Sequence, residues 1–134
     1  MSELEKRLGC TFSSLIDATL RALQAKRVRT AGLLASPTTI KTRLYQDKLE
    51  KLGMAVLLPT SQELKVVEHC IRSVIANRAP AQGSMLLRPI IERLQSDGAD
   101  TVILGCTELS VLFTGSKADN ITDPMTIITK ELLL

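Results

Sequence analysis

Apolar residues recur along this chain in two alternating rhythms, one with the period of a helix and one with no period at all. After a charged lead-in at residues 1–9, Phe12, Ile16, Leu20 and Leu23 fall at helical spacing. They predict a first helix running to about Lys26, with Thr11 or Ser13 as its cap. Residues 30–35, TAGLLA, show no alternation, as expected of a central parallel strand covered on both faces. Ser36 and Pro37 then open a helix that carries Ile40, Leu44, Tyr45, Leu49 and Leu52 inward until Gly53 stops it. Residues 54–58 form a second continuous apolar strand, which Pro59 ends. Thr60 and Glu63 make a capping box for a helix whose buried face is Leu64, Val67, Ile71, Val74 and Ile75. The segment NRAPAQ at 77–82 breaks that pattern. A further helix takes Leu87, Ile90, Ile91 and Leu94 inward, with Pro89 as a kink or a sign of a later start, and Asp97 and Gly98 end it. Residues 101–104 are a third strand, 107–113 a helix, 115–119 a surface loop and 120–122 a short last strand. Asp123 with Pro124 starts a terminal helix.

Strands that alternate with helices predict an α/β fold: a three-layer αβα arrangement around a four-stranded parallel sheet in the order 2-1-3-4, with right-handed crossovers. In such a sheet the ligand crevice lies at the carboxyl ends of the strands where the order reverses. Here that is between the loop at 36–39 and the loop at 105–107, both of which open helices and carry hydroxyls.

A chain of 134 residues with 45% hydrophobic content can bury one core, so a single domain over residues 1–134 is expected. Three cysteines, one histidine and no cationic leader fit a reducing, cytoplasmic setting without a disulfide framework. No apolar run is long enough to span a membrane. A net charge of +3 and only Phe12, Tyr45 and Phe113 as aromatics leave no stacking platform for nucleic acid, so no nucleic-acid partner is expected. The cluster Lys26, Arg27 and Arg29 could hold phosphate, but cations gather at helix C-termini because the macrodipole favours them, and that account is simpler.

The stretch TVILGCTELSVL at 101–112 places Cys106 where a strand hands over to a helix. Free N–H groups at a helix N-terminus favour a thiolate, predicting a Cys106 pKa lowered to ~3.5–7.5. On local context a small buried hydrophobe is as good a description of this cysteine. A cysteine phosphatase would need an arginine shortly after the thiol, where Ser110, Val111 and Leu112 stand. There is no CxxC pair, no Walker loop and no Rossmann glycine pattern. His69 and Cys70 are adjacent on a helix and point apart, so neither they nor the other cysteines suggest zinc, and no metal or cofactor is expected. What remains is a thiolate acting on a carboxylate-bearing small molecule.

The run AGLLASPTTIKTRLY, then LEKLGMAVLLPTSQE, GCTELSVL and ITDPMTII, together resemble the PLP-independent aspartate/glutamate racemase superfamily, most closely its aspartate racemase branch. GCTE after an apolar strand is similar to the superfamily's second-cysteine motif, and the first run to a substrate loop written approximately ATxGTxxSxxY. The resemblance implies an amino-acid racemase with Cys106 as one of two cysteine acid/base groups, Thr107 and Glu108 beside it, and Thr39 with Ser36 or Thr38 on the substrate α-carboxylate. Members have two similar domains with one cysteine each, and this chain corresponds to the second. The resemblance implies that the first domain is absent from this sequence and that Cys10 does not replace the first cysteine, because it precedes the first helix instead of following a strand. A missing first domain or a homo-oligomer would then complete the site. Thr38 stands where the motif has glycine. Ile75 lies near the place where aspartate-selective members carry a lysine, which argues for a neutral or broad amino-acid substrate. The alternative is a catalytically inactive amino-acid-binding or protein-interaction remnant.

Overall fold

The alternation of buried strands and amphipathic helices is realised in a computed structural model that describes residues 16–76, 80–113 and 121–127, with the side chains of all of these except residues 80–84 and 107. The expected lead-in, Cys10, Phe12, the caps Thr11 or Ser13, the loop at 115–119 and Asn120 lie outside the described residues. Four strands, β1 (Thr30–Leu34), β2 (Ala55–Leu57), β3 (Thr101–Leu104) and β4 (Ile121–Thr122), form one sheet in the order β2-β1-β3-β4. All three pairings are parallel, with Gly32 opposite Leu57 on one side and Val102 on the other. The fold is therefore α/β with the expected strand order.

The central strands are apolar throughout because both of their faces are covered. Helix α1 (residues 16–25) and α3 (Leu44–Lys51) cover one face, around Ile16, Leu23, Leu33, Tyr45, Leu49 and Ile103. On the other face α4 (Ser61–Ile75), α5 (Pro80–Ser96) and α6 (Thr107–Leu112) pack Val67, Ile71, Leu87, Leu94 and Leu109 against Leu34, Val102 and Leu104. The capping box of α4 is formed: Glu63 N–H donates to Thr60 Oγ1 at 3.2 Å and Thr60 N–H to Glu63 Oε1 at 2.9 Å. Arg93 of α5 grips the same carboxylate at 2.6 Å, which keeps Glu63 below its ordinary pKa and ties α4 to α5.

Four expectations are corrected. The helix expected from Ser36 to Leu52 is two helices, α2 (Pro37–Lys41) and α3, because Arg43 takes the left-handed conformation with φ 57°. The Gln46 side-chain amide donates to the Ile40 carbonyl at 2.9 Å, beside the Arg43 N–H that reaches the same oxygen at 3.1 Å, and so ties α3 to the end of α2. The break also re-phases the second piece, so Tyr45, Gln46 and Leu49 are buried while Leu44 and Leu52, expected inward, are exposed. Strand β2 is partly open because it is the sheet edge, and Leu58 lies exposed beyond it. Ile75, expected on the buried face of α4, is 68% exposed at the helix's last residue, past the packing that holds Ile71. Helix α5 starts at Pro80 and runs through Pro89 without ending. Pro89 is on the exposed side, as is Met85, whose carbonyl a proline cannot serve but water can.

Candidate functional site

The carboxyl ends of β1 and β3 are drawn together by a backbone bond beyond the strands themselves, from Gly105 N–H to the Leu34 carbonyl at 2.7 Å. A side chain would be crowded there. A Cβ on Gly105 would lie 3.1 Å from Leu33 Cδ1, 3.1 Å from the Leu34 carbonyl oxygen and 3.2 Å from Ala35 Cβ. The close approach sets the loop after β1 against the loop after β3, the place where the strand order predicts a crevice.

On the β1 side, Ser36 caps α2: its Oγ accepts from Thr39 N–H at 3.2 Å and donates to Thr39 Oγ1 at 3.0 Å. Ser36 and Thr39 are half-buried and Thr38 is exposed between them. On the β3 side, Cys106 is the N-cap of α6, with extended backbone and a half-buried thiol. The thiol donates to Glu108 Oε2 at 2.6 Å. Thr107 is the first residue of α6, and its side chain lies outside the described ones. The structure thus joins Ser36 to Thr39 and Cys106 to Glu108, and sets the two pairs on adjoining loops.

The expected lowering of the Cys106 pKa is corrected: the thiol is pushed up to about 11. Burial is the largest cause, and the hydrogen bond to the Glu108 carboxylate adds to it. The backbone N–H groups of Glu108 and Leu109 do act in the expected downward direction, but they are outweighed. In this form Cys106 is a protonated donor. Burial also raises the thiol of Cys70, which is 1% exposed within the core. His69 lies on the same helix, α4. Among the described residues no group of three His, Cys, Asp or Glu side chains is placed to hold a metal ion.

Tyr45 had read from the sequence only as an inward position of a helix. Its buried phenol is raised to about 12, first by burial and then by the nearby Cys106 sulfur. The only sequence signal for it is the closing tyrosine of the AGLLASPTTIKTRLY run. Behind the site, Ser110 Oγ donates to Asp123 Oδ1 at 2.6 Å, and the same carboxylate caps the turn at Met125 N–H, so α6 is anchored to the segment after β4.

Titration of Tyr45 has a measurable consequence. An unfolded phenol loses its proton near 10, whereas the folded one keeps it to about 12. Between those values the folded state binds more protons, so this contribution is intact below the lower value and is lost as pH rises through the window. The loss is on the order of 2 kcal/mol, and Tyr45→Phe is expected to abolish it. The chain has one tyrosine and no tryptophan, so the tyrosinate absorbance band titrates Tyr45 alone. A midpoint near 10 in the folded protein would contradict this assignment.

The sequence profile of the Asp/Glu/hydantoin racemase family matches residues 1–132. The chain belongs to that family. It is 31% identical over 111 residues to an uncharacterized protein in the pnlA 3′ region of Pectobacterium carotovorum, covering 83% of this chain and 73% of that one. It is 28% identical over 124 residues to the glutamate racemase of Deinococcus radiodurans, covering 89% of this chain and 41% of that one. Among solved structures it is similar to an aspartate racemase homologue from Pyrococcus horikoshii, with a TM-score of 0.74 and 28% identity over 89% of this chain and 53% of that one. It shares the fold of the Picrophilus torridus aspartate racemase, with a TM-score of 0.67 at 20% identity over 87% of this chain and 51% of that one. The racemase-family chain therefore spans about half the length of those solved structures and less of the glutamate racemase. No described helix is long and apolar enough to cross a membrane.

Proposed function

We propose that this chain is the second of the two cysteine-bearing halves of a PLP-independent amino-acid racemase, in which Cys106 exchanges a proton with the substrate α-carbon. The observation that carries the reading is a half-buried thiol at the head of α6, held against the hydroxyl-bearing β1 loop by the Gly105–Leu34 bond. Racemisation removes a weakly acidic proton from one face of the α-carbon and returns one to the other, so it needs two acid/base groups. With Glu108 as its acceptor Cys106 rests protonated, which suits it to return the proton, while the opposite face requires a thiolate. Ser36, Thr38 and Thr39 from one loop and Thr107 and Glu108 from the other surround the substrate, the hydroxyls holding its α-carboxylate and stabilising the carbanionic form. An apolar Ile75 near the family's lysine position supports a neutral or broad amino-acid substrate.

The second group comes from a further domain or a second copy of the chain. Support comes from the exposed Val111 on α6 and Met125, on the two elements that the Ser110–Asp123 bond joins. A cytoplasmic setting keeps the thiol reduced. The raised thiol pKa and Thr38 in place of glycine favour a second reading, an amino-acid-binding remnant without turnover.

Incubation of the 134-residue chain with a panel of L- and D-amino acids in D₂O, followed by chiral chromatography and mass detection, tests both. Slow α-deuterium incorporation with retained configuration, lost in Cys106→Ala, is expected of one thiol acting from one face. Racemisation that survives Cys106→Ala would remove the cysteine mechanism. Saturable binding with no exchange would select the remnant.

A further inference from the structure

A recess of about 360 Å³ lies at the amino-terminal edge of the sheet, the end opposite Cys106, lined by Lys26, Arg27, Val28, Arg29, Asp100 and Thr101. It is walled by the turn that leads α1 into β1 and by the start of β3.

That turn can be compared with two others in the same molecule. Val28 N–H donates to Leu23 O at 3.0 Å, Met54 N–H to Leu49 O at 3.1 Å and Ala99 N–H to Leu94 O at 3.0 Å, each with a companion bond at 3.0 Å from the preceding residue to the carbonyl three residues before it. These three helix-to-strand turns, the ones that lie wholly among the described residues, are Schellman closures, in which the preceding residue takes the left-handed conformation. Gly53 (φ 81°) and Gly98 (φ 115°) fill that position in two of them, and Arg27 (φ 55°) fills it in the third. A side chain is disfavoured there relative to glycine. The exception is the turn that lines the recess.

The helix dipole favours cations here as at any helix C-terminus, but it does not require a side chain at position 27, where the other two turns use glycine. Pairing does not account for these cations. Arg43, Lys48, Arg72 and Arg93 face carboxylates, whereas among the described residues none lies within ion-pair reach of Lys26, Arg27 or Arg29. Asp100, the one acid of the recess, has its Oδ2 on the backbone, accepting from Arg29 N–H at 2.9 Å and Thr30 N–H at 3.1 Å, and its charge also attracts that of Arg29 without a direct ion pair. It braces the turn and leaves three exposed cations around the opening.

We propose that this recess binds a compact multivalent phosphate-type anion, with Arg27 and Arg29 as its principal partners and Lys26 at the rim. Guanidinium groups suit phosphate because their paired N–H donors match its oxygens. At about 360 Å³ the recess has ample room for an ion of pyrophosphate size. No aromatic lines the recess for a base to stack on.

Calorimetric titration of the 134-residue chain with pyrophosphate, in about 0.15 M salt, tests this separately from the racemase reading, because Cys106 lies at the other end of the sheet. Saturable binding is expected, weakened roughly tenfold or more by Arg27→Gly and lost in Arg27→Gly/Arg29→Gln. Arg27→Gly restores the residue type of the other two turns, so its unliganded melting temperature should equal or exceed the parent's, and circular dichroism checks the fold of the double variant. Absence of saturable binding up to about 1 mM, or parent-like binding by the folded double variant, would overturn the proposal. So would tighter binding of a labelled oligonucleotide than of pyrophosphate through the same residues, since that would make the surface a nucleic-acid contact.

Discussion

Leu94→Ala is expected to destabilise the fold by roughly 3–4 kcal/mol and to lower the melting temperature by roughly 10 °C or more. Leu94 is fully buried between α5 and the central strand. Its Cδ1 and Cβ lie 3.2 and 3.4 Å from where a side chain on Gly32 would begin, so the leucine fills the notch that the glycine leaves in β1. Truncation leaves a cavity against a strand hydrogen-bonded on both sides, which cannot move in to close it. Gly32→Ala creates the opposite fault, an overpacked contact with Leu94 and with Val102 Cγ2 at 3.1 Å, expected to cost about 1–3 kcal/mol. Combining the two should recover part of the loss, because the alanine methyl enters the space that Leu94 vacates. Urea unfolding of the three variants measures this, and a Leu94→Ala loss under about 1 kcal/mol would contradict the seating of α5 on β1.

The layers and the strand order could be read from the sequence because both depend on features that repeat along it. TAGLLA and TVIL are apolar without alternation, which only a strand covered on both faces allows, and each is followed by a residue that can open a helix. What could not be read was local phase. The TTIKTRLYQDKLEK stretch keeps helical spacing across Arg43, and nothing in that spacing announces a left-handed residue, so Leu44 and Leu52 were assigned to the wrong side. Ile75 was misplaced for another reason. Periodicity marks a face of α4 but not how far along the helix its packing partners extend.

The site follows the same division. The position of Cys106 at a strand-to-helix junction and the capping role of Ser36 follow from residue order, and both are found. The protonation state of the thiol does not follow from order, because it is a balance between backbone donors, which every helix start supplies, and burial and Glu108, which depend on side-chain placement. The carboxylate two residues after the cysteine was visible in GCTE, but its turn back onto the sulfur was not. Tyr45 was hidden for a related reason, since the helix pattern accounts for its burial without requiring it to lie near Cys106.

That balance makes Glu108→Gln the most informative change at the site. The resting Cys106 thiol, at about 11, is ionised to only about one part in a thousand at pH 8. Burial remains in the variant, so the pKa should fall only part of the way towards that of an ordinary cysteine. What is removed is a negative charge and a hydrogen bond that favours the protonated sulfur, and the glutamine amide can instead donate to a thiolate. Iodoacetamide labelling of Cys106, followed by peptide mapping against pH, is expected to shift its midpoint downward and to run roughly tenfold faster at pH 8 than in the parent. The gain in thiolate outweighs the smaller nucleophilicity of a less basic sulfur. Cys70, at 1% exposure, serves as the internal control and should stay unlabelled in both proteins while they are folded. An unchanged or raised midpoint for Cys106 would mean that Glu108 does not hold the proton on the sulfur, and the assignment of Cys106 as the resting donor would go with it.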